Sequence, residues 1–175
     1  HPDFDQNHFL YLYMSAPGES GGQTQNRVVR YRYEGRQLIE DKLILGGIPG
    51  AVYHDGNSDP VGLVSMVKYV QAQYHTDVSR TFVTGASSGA MMTNVLLGDY
   101  PAVLAAGSAF AGVPFGCFAT TTGSEWNSDC ANGLVTHTPQ EWGNLVRNAY
   151  PGYTGARPRM QLWHGTEDDT LRYPN

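Results

Sequence analysis

A serine lies at the centre of a glycine-flanked segment, Gly85-Ala86-Ser87-Ser88-Gly89. The preceding residues, Arg80–Thr84, predict a short apolar strand, and the following residues, Ala90–Leu97, predict a helix. In this strand–turn–helix setting, a tight turn lifts the serine above the strand ends, where it can attack an acyl carbon. The spacing of the glycines favours Ser87 over Ser88 as the nucleophile. The backbone N–H of Ser88, at the start of the helix, is then the predicted donor to the oxyanion.

A serine nucleophile requires a base, and the base requires an acid that orients it. The segment His164–Thr170 follows a predicted strand and places three carboxylates at the carboxyl end of that strand. Ligand chemistry gathers at this edge in open α/β sheets. Asp168 is the predicted acid, and its neighbours Glu167 and Asp169 remain alternatives. The same residues also suit a solvated acidic turn without a catalytic role.

The base is the missing member of this set. In α/β-hydrolases the order along the chain is serine, then acid, then histidine, and no histidine follows Asp168 in this sequence. The remaining candidates lie upstream of the acid, and each fits a structural role better than a catalytic one: His54, His75, His137 and His164. We therefore predict a chain that has its nucleophile and acid, lacks its catalytic histidine, and hydrolyses esters slowly.

The two cysteines, Cys117 and Cys130, lie close together in the sequence among turn-forming residues. They suit a disulfide that closes a small surface loop and contributes about 3 kcal/mol in the chain-entropy model. The alternative is a pair of free thiols in a cytosolic protein. A metal site is not indicated, because the two cysteines form no CxxC pair and have no histidine near them in the sequence. The chemistry predicted for Ser87 requires no cofactor.

Composition argues against several classes of partner. Eleven basic and sixteen acidic residues give a net charge of −5, without a basic stripe that would attract nucleic acid or an anionic membrane. No segment approaches the roughly 20 apolar residues that are needed to span a bilayer. The chain begins at His1 without a methionine or an apolar leader, as a mature secreted protein or a fragment would.

Two patterns of secondary structure divide the chain. Residues 1–56 predict an antiparallel β-meander, with strands at Phe9–Met14, Asn26–Tyr33 and Leu38–Leu45. Residues 57–175 predict strands alternating with helices, which indicates a parallel sheet covered on both faces. Further elements of this second part are a helix opened by Asp59 and Pro60, a strand over Val103–Val113, a helix from the capping box Thr138–Glu141 to Ala149, and a strand at Met160–Trp163. The predicted fold class is α/β, a partial α/β-hydrolase preceded by a β-meander.

The residues around Ser87 match more than a short motif. The run Arg80–Leu96 resembles the secreted carbohydrate esterases that include fungal acetyl xylan and feruloyl esterases, relatives of extracellular polyhydroxybutyrate depolymerases. The similarity covers about residues 58–175, and its further segments are Gly112–Pro114, Gly116–Phe118, Trp126–Ala131, Tyr150–Gly155 and Gln161–Asp168. The resemblance implies an α/β-hydrolase fold, Ser87 as nucleophile, Asp168 as acid and a Cys117–Cys130 disulfide. It also implies extracellular deacylation of plant polysaccharide.

Two features of that family are not recognisable in this sequence. The first is a set of earlier strands with a His-Gly loop that supplies the second oxyanion donor. The second is the catalytic histidine, which the family places well beyond the position of Asn175. The alternative to an esterase is therefore a non-catalytic, carbohydrate-associated module that keeps the surface of the fold without its chemistry.

The N-terminal part resembles a different family. His1–Phe4, Asn26–Tyr31 and Gly47–Ala51 with His54-Asp55-Gly56 are similar to soluble, PQQ-dependent sugar dehydrogenases, which are six-bladed propellers. The resemblance implies that His54 is the base beside the quinone, although Asn57 stands where that family has a glycine. Residues 1–56 supply little more than one blade, so they cannot close a propeller or its cofactor site. A fragment of a PQQ-linked sugar oxidoreductase is thus the alternative function, with a fusion point near residues 54–59.

Overall fold

The chain divides into two units, His1–Ile48 and Pro49–Asn175. The computed structural model describes residues 9–16, 25–34, 37–46, 53–55, 59–120 and 126–174. The division lies close to the predicted boundary after residue 56. Residues 56–58, within the predicted fusion segment, lie outside the described residues.

The first unit contains three strands: β1 (Phe9–Ala16), β2 (Gln25–Glu34) and β3 (Gln37–Gly46). They form one sheet in the order β1-β2-β3, and β2 pairs antiparallel with both neighbours. This arrangement confirms the predicted meander. Residues 1–8 and 47–52, which carry part of the resemblance to sugar dehydrogenases, lie outside the described residues.

The second unit alternates helices with parallel strands. Its elements are helix α1 (Asp59–Tyr74), strand β4 (Phe82–Ala86), helix α2 (Ser88–Asp99), strand β5 (Ala106–Phe110), the short helix α3 (Ser128–Ala131), helix α4 (Pro139–Ala149) and strand β6 (Arg159–Trp163). The sheet has the order β4-β5-β6, and both pairs are parallel. The predicted α/β class is thereby confirmed.

The helix ends follow local signals in the sequence. Thr138 and Glu141 form the capping box of α4, because the Thr138 N–H donates to Glu141 Oε2 at 2.7 Å and the Glu141 N–H donates to Thr138 Oγ1 at 3.3 Å. Pro139 occupies the first turn, and the helix ends at the predicted residue. Helix α1 begins at Asp59, followed by Pro60, whose fixed φ suits a first turn.

The strand bounds differ from the prediction where they depend on neighbours. Strand β5 covers Ala106–Phe110 rather than Val103–Val113, because β4 and β6 each pair with it over five residues. Strand β4 begins only at Phe82, since Val78–Arg80 form a 3-10 turn instead of extended backbone. Helix α2 extends beyond the predicted helix at both ends.

Helix α2 is the centre of the second unit. All of its residues from Thr93 to Asp99 are buried. It lies on the sheet so closely that Gly107 has no room for a side chain beside Leu97 and Thr93. Buried residues also cluster between α2 and α1 (Val64, Leu96, Leu97, Tyr100 and Leu104) and between α2 and α4 (Val95, Phe115 and Ala149). The helix therefore joins the sheet, α1 and α4 into one core.

The two faces of this sheet differ in how they are covered. Helix α2 covers the face that carries Val83 and Gly107. On the opposite face, Phe82, Phe110 and Trp163 are 65%, 43% and 58% exposed. The rings of Phe110 and Trp163 stack with their centroids 6.3 Å apart. Within the described residues, helix α2 covers its face of the sheet over β4 and β5, whereas Leu162 of β6 on that same face is 72% exposed and the opposite face presents large apolar side chains.

The turn between β4 and α2 depends on a close approach of two backbone segments. A Cβ atom at Gly85 would lie 2.2 Å from the carbonyl oxygen of Gly89 and 2.9 Å from the nitrogen of Ala90. A Cβ atom at Gly89 would meet no atom within 4 Å. Of the two glycines in the motif, only Gly85 is therefore required by the packing of the described residues.

The Gly85→Ala variant is expected to lower the free energy of unfolding by about 2–3 kcal/mol, because strand and helix must separate to admit the methyl group. The matched change Gly89→Ala is expected to be neutral or to stabilise by about 0.5–1 kcal/mol, since alanine is the better helix former. Urea unfolding followed by circular dichroism measures both values. Equal stability of the two variants would contradict the close approach at Gly85.

A carboxyl group is buried at the C-terminal end of α2. Asp99 is 0% exposed, and among the described residues neither oxygen of its side chain has a hydrogen-bond partner. Its backbone carbonyl accepts a hydrogen bond from His54 Nδ1 at 2.5 Å, and the His54 ring stacks on Tyr150. Desolvation by burial raises the pKa of Asp99 to about 7. Asp99 is therefore protonated in the folded chain at mildly acidic pH.

The Asp99→Asn variant is expected to gain stability relative to the wild type as the pH rises. The ordinary pKa of the group is 3.8, so between about pH 4 and pH 7 unfolding releases a proton that the folded state retains. The free energy of unfolding contributed by Asp99 therefore falls across this range, whereas asparagine does not titrate. Urea unfolding at pH 5 and pH 8 should show an advantage of the variant that is about 2 kcal/mol larger at pH 8. A constant difference would mean that the pKa of Asp99 is not raised.

Candidate active site

Ser87 has a backbone conformation that is rare for a residue with a side chain. Its φ is 54° and its ψ is −120°, in the region of positive φ that favours glycine. The Ser87 N–H donates to the carbonyl of Phe110 at 2.9 Å, which extends the β4–β5 pairing by one residue. The side chain is exposed and caps no helix amide. The turn thus presents the hydroxyl to solvent from a strained position, a combination found at functional sites.

Ser88 is the first residue of helix α2. The carbonyl of Ser87 accepts the N–H groups of Ala90 and Met91 at 3.0 and 3.1 Å. The Ser88 N–H has no carbonyl one turn earlier in the helix to which it could donate, and the helix N-terminus carries a partial positive charge. This amide can therefore stabilise an oxyanion that forms beside the Ser87 hydroxyl.

The acid loop follows β6 at the same edge of the sheet as Ser87. The parallel strands end together, and the N–H of Ala111, just after β5, donates to the carbonyl of Trp163 at 2.8 Å. Ala111 also has a positive φ, 50°. Ser87 follows β4 and His164 follows β6, so two strand spacings, about 10 Å, separate them. The topology brings the predicted nucleophile and the predicted acid loop to one edge.

The Asp168 carboxylate is oriented by its own loop. Oδ1 accepts the N–H groups of Thr170 and Leu171 at 3.0 and 2.9 Å, and Oδ2 lies 3.4 Å from His164 Nε2. The hydrogen bond from Leu171 is the main cause that lowers the pKa of Asp168, and those from Thr170 and the nearby His164 act in the same direction. Asp168 is therefore an ionised carboxylate at neutral pH, as the acid of a triad has to be.

The neighbouring carboxylates lack this support. Asp169 Oδ1 lies 3.4 Å from the Thr170 hydroxyl, which is its hydrogen-bond donor. Glu167 is exposed. Within the described part of the chain, neither side chain accepts a backbone N–H as Asp168 does, so the geometry favours Asp168 as the candidate acid.

No histidine among the described residues contacts the Ser87 hydroxyl. The histidine nearest the acid, His164, has its Nε2 directed at the carbonyl of Leu171, 2.6 Å away. The other three lie elsewhere: His54 against Tyr150, His137 against Trp142, and His75 directly after α1. The base of the predicted triad is therefore not assigned to any described residue.

Cys117 and Cys130 form a disulfide with their Cα atoms 5.8 Å apart. Both cysteines are buried. Asn127 connects the two sides, because its Nδ2 donates to the carbonyl of Cys117 at 3.1 Å and its Oδ1 accepts the N–H of Cys130 at 3.0 Å. The structure thus has the disulfide rather than free thiols, and it attaches α3 to the loop that follows β5.

Leu171 is a residue that the sequence analysis did not single out. It is buried in an exposed loop, and its N–H is one of the donors that hold Asp168. One feature of the sequence could have predicted its role: Leu171 is the only leucine, isoleucine or valine after Trp163. A single aliphatic residue in a polar loop indicates the place where the loop packs on the rest of the protein.

Two further findings concern the described residues only. No three of their His, Cys, Asp and Glu side chains are grouped so that they could hold a metal ion. None of their helices combines the length and the apolar character needed to cross a membrane.

Residues 50–125 match the family described as Esterase PHB depolymerase. The chain is 52% identical over 123 residues to feruloyl esterase B of Talaromyces stipitatus, and 52% identical over 129 residues to feruloyl esterase B of Neurospora crassa. It is 49% identical over 126 residues to the probable acetylxylan esterase A of Aspergillus fumigatus. These matches cover 69%, 72% and 71% of this chain, and 34%, 44% and 34% of the relatives.

A solved structure is also similar. The acetyl xylan esterase from Aspergillus awamori matches with a TM-score of 0.70 and 43% identity, over 71% of this chain and 46% of that chain. The chain thus spans less than half the length of the relatives named above. In sequence and in fold, the chain is thus similar to fungal feruloyl and acetylxylan esterases, and residues 50–125 match the family of PHB-depolymerase esterases.

Proposed function

We propose that the second unit is the nucleophile-bearing part of a serine carboxylesterase. The observation that carries the proposal is the positive-φ turn at Ser87, which presents an exposed hydroxyl beside the first amide of a helix. The ionised Asp168 carboxylate at the same edge of the sheet supports it. The names of the relatives, feruloyl esterase and acetylxylan esterase, point to the same chemistry.

In the proposed reaction, the Ser87 hydroxyl attacks the ester carbonyl carbon while a histidine accepts its proton. The Ser88 N–H stabilises the oxyanion of the tetrahedral intermediate. The intermediate then expels the alcohol, which takes its proton from the histidine, and the acyl group stays on Ser87. Water, deprotonated by the same histidine, releases the acid and restores the serine. Asp168 orients that histidine. No described residue is assigned to the role of this histidine.

An acylated plant polysaccharide is the proposed substrate, with a sugar hydroxyl as the leaving group. The support is that the relatives are named for acetylxylan and for feruloyl esters. We also propose that the protein is secreted and extracellular. The buried Cys117–Cys130 disulfide supports this, since disulfides persist in oxidising compartments.

The alternatives differ from this proposal in testable ways. A non-catalytic module would keep the same fold with an unreactive Ser87. For a PQQ-linked oxidoreductase, the described residues offer no supporting observation. His54, its predicted base, donates its N–H to Ala149 and its Nδ1 hydrogen to the carbonyl of Asp99, both in the second unit.

A fluorophosphonate probe, with imidazole as an external base, is expected to label the wild-type chain at Ser87. The Ser87→Ala variant should remain unlabelled. Ser88→Ala is the matched control, because it removes the adjacent hydroxyl, keeps the backbone N–H and should be labelled like the wild type. Mass spectrometry of the adduct locates the label. Equal labelling of wild type and Ser87→Ala would overturn the assignment, and an unlabelled wild type would favour the non-catalytic module.

Hydrolysis of p-nitrophenyl acetate provides an independent measurement. With imidazole present as the base, the wild-type chain is expected to exceed the imidazole-only rate by about tenfold or more, because the protein adds a placed serine hydroxyl and an amide donor for the oxyanion. The Ser87→Ala variant is expected to fall back to the imidazole-only rate. Identical rates for the two proteins would remove Ser87 from the mechanism.

A further inference from the structure

Leu171 attaches the acid loop to the rest of the second unit. It is 2% exposed, whereas the other residues of 164–174 are exposed apart from the half-buried Asp168. Its side chain packs in a cluster with Val113, Cys117, Cys130 and Ala131. The loop after β6 is therefore held at one apolar point.

The backbone of Leu171 contacts two of the ionisable side chains of the loop, His164 and Asp168. Its N–H donates to Asp168 Oδ1 at 2.9 Å. Its carbonyl accepts a hydrogen bond from His164 Nε2 at 2.6 Å, so this nitrogen carries a hydrogen. The same nitrogen lies 3.4 Å from Asp168 Oδ2. Both oxygens of the carboxylate are thus oriented by groups that depend on the position of Leu171.

The disulfide forms part of the surface on which Leu171 packs. The Cys117–Cys130 bond joins the loop after β5 to α3. The N–H of Arg172 donates to the carbonyl of Ala131, also in α3, at 2.8 Å. Leu171 therefore packs between two segments that the disulfide holds together, and its neighbour along the chain binds one of them.

We propose that Leu171, packed on the Cys117–Cys130 disulfide, is a positioning residue for the Asp168 carboxylate. Reduction of the disulfide lets the two segments separate, loosens Leu171 and removes its N–H from Asp168 Oδ1. The consequence for catalysis rests on the proposed function, in which Asp168 is the acid. The contact itself is measurable without catalysis.

The titration of Asp168 reports on this contact. The Leu171 hydrogen bond is the largest cause of the lowered pKa of Asp168, because an amide donor stabilises the charged form of a carboxylate. Losing it moves the pKa up toward the ordinary value of 3.8. Among the described residues, His164 is the other titratable group that contacts Asp168. Every protein compared in the test retains it.

The test measures the Asp168 carboxyl by ¹³C NMR across a pH titration, together with hydrogen exchange of the amide at position 171. Leu171→Ala is expected to raise the Asp168 pKa and to speed the exchange by about tenfold or more. Leu171→Met keeps an apolar side chain of similar volume and should retain the wild-type behaviour. The matched control is Leu104→Ala, which truncates a leucine buried in a different cluster. It should destabilise the unit and leave the Asp168 pKa unchanged.

Reduction of the wild-type protein provides a second route that does not depend on a Leu171 variant that folds. Treatment with a phosphine reductant is expected to raise the Asp168 pKa in the same direction as Leu171→Ala. The proposal is overturned if neither Leu171→Ala nor reduction moves this pKa. An equal rise in Leu104→Ala would also overturn it, because the effect would then follow from general destabilisation.

These outcomes are separable from those for the proposed function. An unreactive Ser87 with an Asp168 pKa that responds to Leu171 would reject the esterase and keep the positioning contact. A reactive Ser87 with an unresponsive Asp168 pKa would keep the esterase and reject the positioning role.

Discussion

The close contact between the backbone of Gly85 and the first turn of helix α2 is the constraint on which the second unit depends. Because strand and helix approach so closely, the chain has to reverse between them, and Ser87 adopts a positive φ at that point. The same contact places the helix N-terminus beside the serine. It also directs the rest of α2 onto the sheet, where Leu97 lies against Gly107. Core packing and the geometry of the candidate site therefore have a common origin.

Much of the fold could be predicted because its signals are local. The capping box at Thr138 and Glu141 and the proline at the start of α1 depend on interactions within one helical turn, so the sequence alone reveals them. The bounds of β5 could not be predicted in this way. They depend on how far β4 and β6 extend, and those strands lie far away in the sequence.

In the candidate site, too, the features with local signals could be predicted and those that depend on distant contacts could not. Ser87 and Asp168 could be singled out by residue type and by their positions after strands. The support of Asp168 could not, since it depends on the packing of Leu171 against Cys117 and Cys130, which come from other parts of the chain. The different packing around Gly85 and Gly89 could not be predicted from the sequence for a related reason. The motif contains both residues, but only the three-dimensional contact shows which of them lacks space.

Folding of the second unit is coupled to the binding of a proton by the Asp99 carboxyl group. At about pH 6 the unfolded chain has released the proton of this carboxyl, whereas the folded chain, in which the pKa is about 7, retains it. Through this one group, folding therefore takes up nearly one proton per molecule from the buffer. The heat of folding then includes the ionisation heat of that buffer, so calorimetric enthalpies of this unit depend on which buffer is used.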